Sequence, residues 1–103
     1  MKTEIDHLLY CAGEEGGEIQ QAAGKAGRFG LFDTNPKTNQ TNWFEFQNEV
    51  LDMVAIYEMI CDRIDRRPNF DRERIEAKKH RVLIYMDYAR ERGQLEPQGQ
   101  NVK

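Results

Sequence analysis

Residues 42–61 read Asn42-Trp43-Phe44-Glu45-Phe46-Gln47-Asn48-Glu49-Val50-Leu51-Asp52-Met53-Val54-Ala55-Ile56-Tyr57-Glu58-Met59-Ile60-Cys61. Trp43, Phe46, Val50, Val54, Tyr57, Cys61 and Ile64 recur at three- and four-residue intervals, which is helical spacing. Leu51, Met53, Ala55, Ile56 and Ile60 lie beside that stripe, so the helix is apolar around most of its circumference and belongs in the middle of a bundle. Asn42 with Glu45 has the spacing of an N-cap and its acidic partner. Arg66-Arg67-Pro68-Asn69 ends the pattern, because proline cannot donate its amide and disfavours a helical residue before it.

Working outward, Ile5, Leu8, Ala12, Ile19, Ala22, Ala23 and Ala26 give an earlier helix from Thr3 one buried face. It closes at Arg28-Phe29-Gly30, where glycine is free to take a left-handed conformation. Asp33-Thr34-Asn35-Pro36-Lys37-Thr38-Asn39 makes the stretch from Leu31 to Thr41 a loop, either a connector or a cover for a bound ligand. A third helix runs from about Asp71 to Arg92 and stops at Gly93. Residues 94–103 carry Pro97, Gly99 and three glutamines and read as a disordered tail. The fold class is all-α, with one domain over residues 1–93.

A chain of 103 residues with 39% hydrophobic and 32% charged side chains is that of a soluble globular domain, and small domains often complete their cores by self-association. No apolar run is long enough to span a membrane, and the acidic start Met1-Lys2-Thr3-Glu4-Ile5-Asp6 is unlike a secretory signal. A cytoplasmic location is expected. Cys11 and Cys61 belong to no zinc-type cluster and read as reduced core thiols. Residues 1–62 hold 4 basic and 11 acidic side chains, residues 63–92 hold 10 and 6. A nucleic-acid binder would show a domain-wide basic excess instead.

The acidic excess concentrates in two pairs. Glu15 and Glu18, and Glu49 and Asp52, are each three residues apart, so each pair projects from one helix face. Glu15 falls on the apolar stripe of its helix, and Asp52 sits within Val50-Leu51-Asp52-Met53-Val54. Burying unpaired carboxylates costs several kcal/mol or shifts their titration. A hard divalent cation relieves that cost, and an all-oxygen set suits Mg²⁺ or Mn²⁺ rather than zinc. The competing reading is a solvated, salt-bridged face. His7 and His80 stand in no Glu-x-x-His pattern, which argues against a di-iron bundle site.

Glu14-Glu15-x-x-Glu18 followed by Glu49-x-x-Asp52 resembles the paired acids of the MazG-like all-α nucleoside triphosphate pyrophosphohydrolases. Lys25-Ala26-Gly27-Arg28-Phe29-Gly30 is similar to the Lys-x-x-Arg-Phe-Gly stretch of small phage and bacterial members, and Tyr85-x-x-Tyr88-Ala89-Arg90-x-x-Gly93 to their last helix. The resemblance spans roughly residues 7–95.

It implies hydrolysis of an NTP or dNTP to the monophosphate and pyrophosphate with Mg²⁺ as cofactor. Glu15, Glu18, Glu49 and Asp52 would be the metal ligands and catalytic acids, and Mn²⁺ a substitute ion. It also implies a three-helix subunit whose four-helix core is completed in a homodimer or a dimer of dimers, working in the cytoplasm, the host's if the chain is phage-encoded.

Lys25 lies seven residues after Glu18, nearly on the same face and roughly 10 Å along the axis, a span that suits a triphosphate. Lys25 and Arg28 are the expected phosphate contacts. Asn42, Phe29 and Trp43 are candidates for the base, with Phe32 beside them. Glu14 has either a supporting or a surface role. Gly16-Gly17, inside the first acidic pair, departs from the family pattern and either permits close helix approach or softens the helix. Two other functions stay open: a hydrolase of a modified or signalling nucleotide using the same site, and a non-catalytic helical interaction module that kept the fold.

Overall fold

The computed structural model describes residues 1–97. It contains three helices, α1 (Glu4–Phe29), α2 (Asn42–Arg63) and α3 (Arg72–Glu91). The described residues hold no strand, only an isolated antiparallel bridge between Thr34 and Thr41. The protein is all-α, as its periodicity predicts, and among the described residues no helix is long and apolar enough to cross a membrane. The chain divides into two compact units, Met1–Pro68 and a second beginning at Asn69.

In the first unit α1 packs on α2. Thr3 caps α1, accepting from the Asp6 amide while Asp6 accepts from the Thr3 amide, a reciprocal box that satisfies two otherwise orphaned donors. Arg63 at the end of α2 meets Glu4 at the start of α1 at 2.6 Å, so the helices run antiparallel. The α1 seam is Ile5, Leu8, Ala12, Glu15, Ile19, Ala22 and Ala26, alternating in steps of three and four; Leu8 and Ala22 are buried and the rest half-buried. Burying Leu8 stabilises by about 1.5–3 kcal/mol. One member of this apolar row is charged, Glu15.

On α2 the predicted stripe is covered in part. Cys61 is buried and Phe46, Val54 and Tyr57 are half-buried, whereas Trp43, Val50 and Ile64 are exposed; beside the stripe Asn42 is buried and Glu49, Met53, Ile56 and Ile60 are half-buried. The helix has more apolar circumference than α1 alone can cover. The orientation is fixed at the loop end, where the Asn42 side chain donates to the Gly30 carbonyl at 2.9 Å and the Trp43 amide to Leu31.

Three local expectations change. The cap of α2 is Thr41, whose hydroxyl accepts from the Phe44 amide; Asn42 is the first helical residue, and Glu45 accepts from the Thr38 hydroxyl at 2.8 Å. Gly30 has φ +106° with ψ 140°, a positive φ without the left-handed helical ψ. And α2 ends ahead of its proline: Asp65 takes φ +56°, the Arg66 amide donates to Cys61 at 2.9 Å and the Asp65 amide to Asp62 at 3.4 Å. These are the paired bonds of a Schellman closure.

In the second unit Asp71 caps α3 by accepting from the Glu73 and Arg74 amides. Gly93, at φ +74°, closes it with bonds from Gln94 to Ala89 and from Gly93 to Arg90. No residue of α3 is buried, and Val82, Leu83, Ile84, Tyr85 and Tyr88 are exposed. Of the tail expected to be disordered, residues 98–103 lie outside the described residues; within the rest, the Glu96 carbonyl accepts from the Arg90 side chain.

Candidate functional site

Because α1 and α2 are antiparallel and each places one acid on its seam, Glu15 and Glu49 face each other across the pair. Glu18, one turn along from Glu15, joins them. One carboxylate oxygen from each of the three lies within 4.8 Å of the others. Glu15 and Glu49 are half-buried, and each has an Oε2 atom that is fully buried and without a hydrogen-bond partner. Glu18 is exposed.

The electrostatic consequence is repulsion. Burial pushes the Glu49 carboxyl up to about 7, aided by a hydrogen bond with Glu18 and by the charges of Glu18, Asp52 and Glu15. Glu15 is also raised, by burial first and then by Glu18, Asp52 and Glu14. In the ion pairs found among the described residues the acids are Glu4, Glu76 and Asp87, so the salt-bridged alternative for the central acids finds no cation here.

Asp52 stands apart from the trio. It is exposed, as is its neighbour Leu51, contrary to the burial expected from its apolar surroundings in sequence. The surroundings themselves are uncovered on that side of α2. Its charge nevertheless reaches both Glu15 and Glu49. Glu14 is exposed and acts on Glu15 through its charge alone.

A cavity of about 370 Å³ opens beside the acids, with Glu18 and Glu49 on one side and Lys25 further along α1. A second, of about 480 Å³, shares Lys25 and is lined by Phe29, Asn42 and loop residues from Asp33 to Lys37. Lys25, half-buried, thus borders both. Arg28 is exposed with its guanidinium 5.5 Å from the Phe29 ring centroid, and lines neither. Trp43 is exposed, its ring 6.3 Å from that of Phe46, and is likewise outside both. Phe32 is exposed as well.

Sequence reasoning did not single out Gln21, Asn48, Thr38 and Gln40, which line the first cavity. Gln21 was within reach, lying three residues after Glu18 and four before Lys25 on the same face. The loop residues were not. Thr38 is brought in by its bond to Glu45 and by the Asn35–Gln40 and Asn39–Asn35 backbone bonds, with Asn39 at φ +59°.

The glycines do not serve close approach. A Cβ on Gly16 would meet Met53 at 4.0 Å, an ordinary contact, and one on Gly17 would meet nothing within 4 Å.

No family model, curated protein or solved structure matches this chain. The likeness to the MazG-like enzymes rests on the motifs quoted above.

A divalent cation fits the donor set. Two buried carboxylate oxygens lack any partner, a third acid converges on them, and all the donors are hard oxygens.

Proposed function

We propose that the chain is a MazG-like, Mg²⁺-dependent nucleoside triphosphate pyrophosphohydrolase, converting an NTP or dNTP to the monophosphate and pyrophosphate. The observation that carries this reading is the convergence of Glu15, Glu18 and Glu49, with two orphaned buried oxygens, next to a cavity that also holds Lys25.

Glu15, Glu18 and Glu49 would hold the ion, with Mn²⁺ able to replace Mg²⁺; Asp52, apart from the trio, would add its charge and join the set only on moving toward it. When bound, such an ion neutralises phosphate charge and polarises the anhydride, which is most of what phosphoryl chemistry requires. Lys25 binds phosphate oxygens remote from the acids, and Arg28 is a second contact at the rim. Phe29 and Asn42 form the base slot in the adjoining cavity; Trp43, outside both cavities, is the weaker candidate. One carboxylate orients the attacking water and takes its proton as the α–β anhydride bond breaks. Neither Cys nor Ser is needed as a nucleophile.

Self-association belongs to this reading, as a homodimer or a dimer of dimers. Exposed apolar side chains on α2 and on α3 support it, since a second copy would cover what one chain leaves open and complete a four-helix core. The enzyme would act in the cytoplasm, the host's if the chain comes from a phage.

The test is pyrophosphate release with Mg²⁺ across a panel of NTPs and dNTPs. At least one nucleotide should be hydrolysed, and Glu18→Gln should reduce the rate by about a hundredfold or more. If every nucleotide is untouched at high protein concentration, the catalytic reading is withdrawn.

A further inference from the structure

The cavity assigned to the base contains one polar atom that the fold leaves unused. Asn42 is only 5% exposed, and its side-chain amide lies 2.9 Å from the Gly30 carbonyl. A carbonyl only accepts, so the NH₂ group is the one committed to Gly30 and Oδ1 is left over. The main chain is held here as well, by bonds from the Asn42 amide to Asp33 at 3.0 Å and from the Trp43 amide to Leu31 at 2.8 Å. Oδ1 has no partner among the described residues and, unlike the orphaned oxygens of Glu15 and Glu49, is not sealed from solvent. It therefore opens on the cavity of about 480 Å³ that Asn42 lines. Asp33, exposed in the same lining, adds a carboxylate that also lacks a partner among the described residues. Phe29 supplies an exposed ring on which a base can stack. Lys25 is drawn to phosphate in the reading above, and Lys37 is exposed on a flexible stem. The fixed polar chemistry of this cavity is that of an acceptor.

We propose that this cavity selects nucleotides whose base carries an exocyclic amino group, over those of uracil and thymine, with Asn42 Oδ1 as the specificity-determining atom. The inference rests on the nucleotide-hydrolase reading and narrows its substrate. An amino group donates one hydrogen to Oδ1, and the Asp33 carboxylate is at hand for a second donor on the same base. Uracil has a carbonyl oxygen where cytosine has its amino group. Oxygen then faces oxygen, one hydrogen bond is lost and two acceptors are left unpaired. The usual escape, turning the amide over to present its NH₂, is closed: it would break the bond to Gly30 and set Oδ1 against that carbonyl instead. Selection thus works through a repulsive contact as much as an attractive one.

The experiment compares dCTP with dUTP, which have the same size and differ at this one edge, in kcat/KM for pyrophosphate release with Mg²⁺. Binding of their analogues with an imido bridge between the α- and β-phosphates is measured beside it by calorimetry. The full chain should favour dCTP by about tenfold or more, and the dCTP analogue should bind more tightly by a similar factor. Asn42→Ala should bring both ratios toward one. Each ratio is taken within a single protein sample, so a loss of folded material cancels. If Asn42→Ala yields no folded protein by circular dichroism, Asp33→Asn, at an exposed position, takes its place and should lower the ratios several-fold. Equal hydrolysis of dCTP and dUTP, a preference for dUTP, or a full dCTP preference in the folded variant overturns the proposal while the hydrolase reading stands. Tighter binding of the dCTP analogue with no hydrolysis of either nucleotide removes the hydrolase and keeps the base selection. If neither analogue binds, both fall.

Discussion

Both compact units carry apolar side chains at helical spacing, but they use them differently. In the first, α1 and α2 bury a shared seam, and that seam holds Glu15 and Glu49 where water cannot fully solvate them. In the second, no residue of α3 is fully buried and a run from Val82 to Tyr85 is exposed. Its charges are spent locally, in Arg72–Glu76, Lys79–Glu76 and Arg90–Asp87 pairs. Lys79 beside Glu76 holds that carboxyl below its ordinary range. Identical chemistry therefore has opposite consequences: acids on a packed seam repel and call for a cation, while acids on an open helix find one within a turn.

The largest expected effect follows from α3's lack of internal burial. An isolated helix of this length is marginal in water without a packed face. A peptide of residues 69–97 should therefore lose most of its helix at low micromolar concentration, read by far-ultraviolet circular dichroism. Full retention of helicity by the monomeric peptide would show that caps and local ion pairs suffice, and would break the contrast.

Next in size is a pair of leucine truncations. Leu8→Ala removes a buried seam side chain and should cost about 2–4 kcal/mol in chemical denaturation. Leu83→Ala, at 56% exposure, should cost less than about 0.5 kcal/mol in an isolated chain. If a second copy covers α3, the cost should exceed about 1 kcal/mol instead, and Tm should rise with protein concentration. Self-association predicts this second outcome. A cheap Leu83→Ala with a concentration-independent Tm would remove α3 from the interface.

The third prediction concerns pH. Glu49 titrates near 7 in the folded chain against an ordinary 4.5, so between those values the folded state keeps a proton that the unfolded state has lost. Stability without divalent cations should fall as pH rises through this window and level off above it. Glu49→Gln should flatten the fall, measured as Tm against pH. Mg²⁺ should raise Tm most above pH 7, where the carboxylates are free to bind it; an unchanged Tm with Mg²⁺ at every pH would count against the metal site.

These contrasts also mark what sequence could and could not say. The helices were legible because their apolar periods are long, and Glu15 was placed on the seam because it interrupts such a period. The seam of α2 was legible only in part: Phe46, Val54, Tyr57 and Cys61 of its apolar stripe are covered, but a helix apolar on most sides can turn several faces to its neighbour. Which face won depended on the Asn42–Gly30 bond, a contact between elements. For the same reason Asp52 looked buried in sequence and is exposed in the chain. Thr38 and Gln40 were beyond reach because a turn-rich loop gives no period from which to read what it faces.

The smallest expected effects compare the ends of α2 and α3, which close with the same pair of backbone bonds but different residues at the left-handed position. Gly93 suits φ +74° and Asp65 tolerates φ +56°, although the left-handed conformation costs a side-chain-bearing residue about 1–2 kcal/mol, least for Asn and Asp. Gly93→Ala should therefore destabilise by about 1 kcal/mol. Asp65→Gly should stabilise by up to about 1 kcal/mol, because the strain relieved exceeds the entropy that glycine adds to the unfolded chain. A loss of stability in Asp65→Gly would mean that the Asp65 side chain makes a stabilising contact at this turn, and that the two closures are alike only in their backbone.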